Sequence, residues 1–421
     1  MLELKFLRRR SRVFIAAECL PWVGFNFDEL ATNLSDCGIG LVRAKPFQAS
    51  ATIEPSLDAD FSCIGTTGRA WLPEAVQYAT CIETEKLPAE ISNEDRVVTQ
   101  RHYAHYSRLV EWYTAQLIDT CTELVLIVQG FELTNAAIRR AALDLDIKVV
   151  AIENTSRQSR LLWDNVSGIT TNRNLAKNYY WRSKDGDCHA DLDQYIEEIV
   201  STTRQEKSQE HQSPEKGYES NGKPYVLYVG QVYTDSSLVF GCRDWTGPVE
   251  LLERLAQWCD EHNFRLVAKL HPKEIFGRAP ITGGPYAKLT WRKICQSALL
   301  QERIDAGTLL VDYENTYDTY SLINDCCFVV TFNSQTGLEA LIRDKPLLLC
   351  GDAYYGGVGL TTECGSPHSL NAVLDAGIKS NFAEAKRFTY IYFEKYCIEK
   401  SITSFASFLR SIVFTTEIRR S

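Results

Sequence analysis

The chain has 421 residues, of which 45% are hydrophobic and 24% charged, with a formal net charge of −9. Two domains are expected, because a single core stops growing at about 250–300 residues. The acidic balance gives no global footprint for nucleic acid, and no apolar run reaches the roughly 18 residues a membrane-spanning helix needs. Fourteen cysteines occur without a CxxC pair, which gives no zinc or redox signature. The start, MLELKFLRRRSRVFIAAE, is basic but lacks the apolar stretch of about 7–15 residues that marks a secretory signal, so reduced cysteines in a cytoplasm are expected.

The first half alternates strand-like and helix-like runs. RVFIAAE (Arg12 to Glu18) reads as a strand and FDELATNLSDCG as a helix stopped by Gly38. SRLVEWYTAQLIDTC is a helix, ELVLIVQG a buried strand, LTNAAIRRAALDLDI a helix and KVVAIENT a strand. This βαβ pattern implies a parallel sheet with right-handed crossovers. From Ser201 to Pro224 the chain turns polar and loses its apolar period, and reads as a linker. The pattern then restarts. Strands are expected at YVLYVGQV, FRLVAKLHP, GTLLVDYENT, FVVTFNS and KPLLLCG, and helices at PVELLERLAQWCDEHN, TYSLINDCC and TGLEALIRD. The tail from Phe382 reads as amphipathic helix that could pack on either domain. The expected class is α/β, with two Rossmann-type domains facing across a cleft and C-terminal helices. The boundaries are 1–200 for the first domain, 201–224 for the linker, 225–385 for the second domain and 386–421 for the helical segment.

Ligands in such sheets lie at the carboxyl ends of the strands. Polar clusters fall there in the second half. GQVYTDSS carries Gln231 and Asp235; the acid equally fits a helix N-cap. KLHPKE holds His271 between Lys269 and Lys273, two cations and an imidazole suited to a phosphate. NSQTGLEAL sets Asn333, Ser334 and Thr336 at a helix start, where free N–H groups attract anions, and Gly337 would let a ligand approach the backbone. Thr336 with Glu339 also fits a capping box. GDAYYGGVGLTTE, with Tyr355, suits a lid or a wall over a sugar or base. In the first half IENTSRQSR places Glu153 at a strand end, followed by Arg157 and Arg160.

The order of these clusters carries more than any one of them. A strand ending in IEN, then GQVxxDxS, KLHPKE, NSxTGxEAL and KP-strand-GxxYYxGxGLT resembles the capsule polysaccharide synthesis family, bacterial β-Kdo glycosyltransferases that use CMP-Kdo. The likeness runs from about Glu123 to Thr361 and departs at Val358, where the family often has a bulky aromatic. It implies a GT-B-like fold, CMP-Kdo as donor, no cofactor or catalytic metal, and retention at the anomeric carbon. It also implies roles for single residues. Asp235 would be the acidic residue of the GQVxxDxS motif, His271 the group on the CMP phosphate and Glu153 the acid facing the reacting centre. Ser334 and Thr336 would form the phosphate turn, with Gln231, Lys269, Lys273, Asn333, Gly337, Glu339 and Tyr355 around the donor.

Chemistry of the residues fits that reading. Double displacement needs a carboxylate nucleophile, for which Asp235 is the choice. Glu153 would then be the base for the acceptor hydroxyl. The Kdo carboxylate needs a cation, and Arg157, Arg160 and Lys273 are candidates. The expected partners are a glycan or lipid-linked acceptor and other enzymes of surface polysaccharide (capsule or O-antigen) synthesis, with no nucleic acid. The expected location is cytoplasmic, with peripheral contact at the inner membrane through KFLRRRSR and the tail. The alternatives are a GT-B transferase with another donor, CMP-sialic acid or a UDP-sugar, and a non-catalytic glycan-binding scaffold.

Overall fold

The computed structural model describes residues 11–47, 73–166, 174–186, 191–206, 216–220 and 222–420. Its strands, in chain order, are β1 (Ser11–Ile15), β2 (Ile39–Arg43), β3 (Leu124–Val128), β4 (Lys148–Asn154), β5 (Arg160–Asp164), β6 (Tyr225–Val229), β7 (Arg265–Lys269), β8 (Leu309–Asp312), β9 (Phe328–Thr331), β10 (Leu347–Leu349), β11 (Thr362–Glu363) and β12 (Ile398–Glu399). They form two six-stranded sheets, one in each of two compact units. Both units are Rossmann-type α/β folds, the composition expected of the GT-B-like class.

The first unit comprises Met1–Val76, Thr99–Asn172 and Phe393–Ser421. Its strand order is β12-β5-β4-β3-β1-β2. β2, β1, β3 and β4 run parallel, while β5 and β12 add an antiparallel edge. β3 reads LVLIV and is buried throughout, because helices cover both faces of a parallel sheet. The helix Phe27–Ser35 begins at Asn26, whose side chain accepts from the N–H groups of Asp28 and Glu29.

The second unit comprises Gln77–Val98 and Arg173–Tyr392. Its sheet is parallel throughout, in the order β11-β10-β9-β6-β7-β8. The chain lays down β6, β7 and β8 in one direction, then returns to place β9, β10 and β11 on the other side of β6. The order therefore reverses between β6 and β9, and ligands in doubly wound sheets bind at the carboxyl side of such a switch point. The registers Val229↔Lys269 and Lys269↔Asp312 bring β6, β7 and β8 to an end at one level.

The units are not consecutive stretches of chain, as the expected boundaries had them. Residues 77–98 belong to the second unit, anchored by Lys293 and Tyr233 on Glu90 and by Arg292 on Glu85. The region 173–200 also belongs there. The expected linker begins inside the helix Leu192–Glu206, and most of the rest of it lies outside the described residues. The tail divides. The helix Phe382–Tyr390 sits in the second unit, whereas β12 and the helix Ile402–Arg420 sit in the first, where Phe405, Leu409 and Ile412 join the core. Each such side chain contributes about 1.5–3 kcal/mol by leaving water, which is why the apolar stripe of this helix is spent inside the protein. No helix among the described residues is long and apolar enough to cross a membrane. The basic stretch 5–10 lies outside them.

Candidate functional site

The switch point of the second unit is closed by a buried polar knot. Gln231, on the loop after β6, is 8% exposed, and Asn333, on the loop after β9, is 6% exposed. The Gln231 amide donates to Asn333 Oδ1 at 2.5 Å and to Ser237 Oγ. Asn333 Nδ2 donates to the Ser237 carbonyl at 2.7 Å. Thr331 ties the same loop to β6 by donating to the Val229 carbonyl at 2.8 Å. Buried amides left without partners would be costly, so each side chain fixes the other. Gln231 and Asn333, expected as donor contacts, serve here to join the two loops.

Asp235 lies on the rim of this knot and is half-buried. It is the N-cap of the helix Ser236–Gly241: Oδ1 accepts from the Ser237 N–H at 2.8 Å and from Ser237 Oγ at 2.5 Å. The capping role is therefore real, and it uses one carboxylate oxygen. Oδ2 has no hydrogen-bond partner among the described residues. Tyr233, two residues earlier, fixes the loop. Its N–H donates to Glu274 at 2.8 Å and its hydroxyl to Glu90 at 3.0 Å.

After β7, the two expected cations part ways. Lys269 is 3% exposed, and its ammonium donates at 2.7 Å to Asp312 Oδ2, to Asn315 Oδ1 and to the Tyr317 carbonyl. An ammonium has three protons, so these acceptors use its donors in full. Lys269 thus braces the loop after β8 rather than reaching a phosphate, which corrects the sequence expectation. His271 and Lys273 remain half-buried. The Lys273 N–H donates to His271 Nδ1 at 3.2 Å, which leaves Nε2 of a neutral imidazole to carry the proton.

Glu274 was not singled out by sequence reasoning, yet it organises the region. It is 2% exposed and accepts from Tyr233 N (2.8 Å), Thr290 Oγ1 (2.7 Å) and Thr290 N (2.8 Å). Burial raises its pKa above the ordinary value, against the opposing pull of those hydrogen bonds. It was visible only as the last letter of KLHPKE. Ser237, at the end of GQVYTDSS, and Asp312, at the end of a strand from which no site residue was expected, were missed likewise.

After β9, the helix Gln335–Leu341 is capped by Ser334, which accepts from the Thr336 N–H at 3.3 Å. The expected Thr336–Glu339 capping box is displaced, because the helix starts two residues earlier; Glu339 is buried within it. Tyr355 is fully buried and its hydroxyl donates to the Ser334 carbonyl. A Cβ at Gly337 would overlap that phenol. The small residue therefore admits Tyr355, not a ligand, and Tyr355 buttresses the turn from behind instead of covering it. The surrounding Gly–Tyr loop is pinned as well: Arg243 donates to Asp352 at 2.9 Å and to Glu363 at 3.0 Å, and Tyr354 stacks on Tyr392. Val358, at the family's aromatic position, is buried.

In the first unit, Glu153 is the next-to-last residue of β4 and is half-buried, with Gln129 Nε2 donating to Oε1 at 2.6 Å. Gln129 adopts a left-handed φ of 54°, an uncommon state for a residue with a side chain. Arg157 and Arg160 both pair with Glu394, Arg157 at 3.4 Å. Their expected role on a ligand carboxylate thus meets an internal carboxylate already in place. Among the described residues, no group of three or more His, Cys, Asp and Glu could hold a metal ion.

Against this geometry, a family model described as capsule polysaccharide biosynthesis protein matches residues 172–392. A curated relative, the lipopolysaccharide-processing protein LpsZ of Rhizobium meliloti, is 27% identical over 176 residues, 41% of this chain. That stretch spans a third of the relative's length (33%). Among solved structures, the KpsC beta Kdo 2,7 transferase of Thermosulfurimonas dismutans is 18% identical with a TM-score of 0.44, covering 69% of this chain and 82% of its own. The beta Kdo 2,4 transferase of the same organism is 18% identical with a TM-score of 0.46, covering 66% and 81%.

Proposed function

The chain belongs to the capsule polysaccharide biosynthesis protein family, and from that premise we propose that it transfers Kdo from CMP-Kdo to a glycan or glycolipid acceptor with retention at the anomeric carbon. The observation that carries the reading is the division of labour in the second unit, inside the matched region. Buried Gln231, Asn333 and Lys269 fix three strand-end loops, while Asp235, His271 and Lys273 on those loops stay half-buried.

In the first step the Asp235 carboxylate attacks the anomeric carbon. The bond to the phosphate oxygen breaks, and CMP leaves with the electron pair. His271 donates its Nε2 proton as a hydrogen bond to that phosphate, and Lys273 offsets its charge. In the second step the acceptor hydroxyl attacks the same carbon as a general base takes its proton, the role that the motif order assigns to Glu153, and Asp235 is released as carboxylate. Two inversions give net retention. We further propose that the reaction takes place at the cytoplasmic face of the inner membrane; flotation with anionic liposomes at low and moderate salt tests this, and absence of binding at both removes it.

The deciding experiment for the activity incubates the protein with CMP-Kdo generated in place and a panel of acceptors. CMP release with a retained linkage, seen by nuclear magnetic resonance, is the expected result. A melting temperature raised by UDP and not by CMP, with no Kdo transfer, overturns the reading.

A further inference from the structure

The carboxyl end of β7 and β8 carries an aromatic pair that the reading above leaves unused. Trp291 and Tyr313 stack with ring centroids 4.3 Å apart and planes 10° from parallel. Both are half-buried, so ring surface stays in contact with water. Tyr313 directly follows Asp312, the last residue of β8. Trp291 is tied to the His271 loop, since its neighbour Thr290 donates to Glu274, three residues after His271. Lys288 places its ammonium 4.7 Å from the Tyr313 centroid and donates to Glu314 at 2.9 Å. Glu314 is itself largely exposed, at 61%.

The backbone here is held in unusual states. Ala287 and Lys288 have φ values of 51° and 56°, and Asn315 has 56°, all in the left-handed region that side chains disfavour. Such conformations persist only where the surroundings impose them, and they gather at ligand sites. Lys288 is imposed on by its N–H bond to the Glu274 carbonyl at 2.9 Å, and Asn315 by its bond to Lys269. Two buried polar residues thus fix the turns that present a flat ring pair, a cation and an exposed carboxylate.

We propose that the Trp291–Tyr313 pair, flanked by Lys288 and Glu314, is the platform on which the nucleobase of the donor stacks. A nucleobase is planar and polarisable, and any base offers a π-face to an indole. Lys288 and Glu314 add a donor and an acceptor for ribose hydroxyls or the base edge. The strand-end position sets the platform beside His271, the group assigned to the phosphate. The inference rests on the nucleotide-sugar reading above, and its test separates the two.

Calorimetry with CMP and with ribose 5-phosphate, which lacks the base, reads the contribution of the base as a ratio of affinities. Trp291→Leu is expected to weaken CMP by about 5–150-fold, the range for losing one base stack, and to leave ribose 5-phosphate unchanged. Trp291→Phe, which keeps a ring, should retain most of the ratio. A wild-type ratio in Trp291→Leu overturns the platform, as does wild-type protein that binds both compounds equally. Preference for UMP over CMP, still lost in Trp291→Leu, overturns the cytidine donor while supporting the platform. Protein that binds neither nucleotide overturns both. Should Trp291→Leu melt far below wild type, Trp291→His is read in its place: a CMP to ribose 5-phosphate affinity ratio between that of wild type and unity supports the claim, and an unchanged ratio overturns it.

Discussion

Two neighbouring regions at one end of the second sheet treat polar residues in opposite ways. Between β6 and β9, Gln231, Ser237 and Asn333 bond to one another, and the two amides are almost out of water. Beside β7 and β8, His271, Lys273, Trp291 and Tyr313 are only partly buried. Lys269 and Glu274 stand in the same motif as His271 yet belong with the first group, each saturated by internal partners. A motif therefore contains a scaffold and a working part. Burial with complete hydrogen bonding marks the scaffold, and partial exposure next to it marks the groups that can meet a ligand.

The largest effect tests whether Asp235 is truly on the working side, since its Oδ1 also caps a helix. Asp235→Asn keeps an oxygen for the cap and removes the carboxylate proposed as nucleophile. Turnover should fall by several orders of magnitude with CMP affinity unchanged, as for a group needed only in the chemistry. Glu153→Gln should leave the first step possible, so intact-mass spectrometry of that variant with donor alone should show one added Kdo on the peptide containing Asp235. Full activity in Asp235→Asn, or an adduct elsewhere, would place Asp235 with the scaffold.

The next contrast sets two residues of one motif against each other. Lys269→Met leaves Asp312 buried without its cation, and the expected loss of stability is about 3–5 kcal/mol by denaturant unfolding. His271→Ala should cost little stability but weaken CMP by about 1–3 kcal/mol in calorimetry, the range for a charge-assisted hydrogen bond. If His271→Ala unfolds the protein and Lys269→Met only weakens CMP, the comparison is inverted. Gly337→Ala is of similar size to the second effect. Its methyl would press on Tyr355, and overpacking of this kind costs about 1–3 kcal/mol. Pairing it with Tyr355→Phe, which removes the hydroxyl in the way, should recover part of that loss.

Much of this was legible in the sequence, and the limits have physical causes. The strands β3, β4, β6, β7 and β9 follow from unbroken apolar runs, because parallel strands are buried on both faces. The strand β12 was not legible: two residues inside an amphipathic tail carry no period, and only the edge of β5 makes them a strand. The loops bearing Asp235, His271 and Ser334 were found from residue type and position. What composition could not reveal is direction. Lys269 alternates with His271 along the chain as any two polar residues would. Only the register Lys269↔Asp312 shows that its ammonium turns toward an acid at the next strand end. Arg157 and Arg160 were similarly ambiguous, because their partner Glu394 lies more than 230 residues away in sequence.

The smallest effect concerns Glu274 and is read by its sign. Burial raises its pKa in the folded protein above the ordinary 4.5. The folded state then holds this proton more tightly than the unfolded chain does. Its contribution to stability is complete below the ordinary value and is lost as pH rises through the folded value. Glu274→Gln cannot titrate, and it turns an amide N–H toward the N–H groups of Tyr233 or Thr290, so it should be less stable than wild type at every pH. Unfolding free energies of both proteins, measured from below pH 4.5 upward, should show the gap between them narrowing as pH rises. A gap that widens would mean that the three hydrogen bonds outweigh burial. Glu274 would then be held as a fully solvated-like carboxylate by its donors, and the scaffold side of the comparison would be an electrostatic device rather than a packed one.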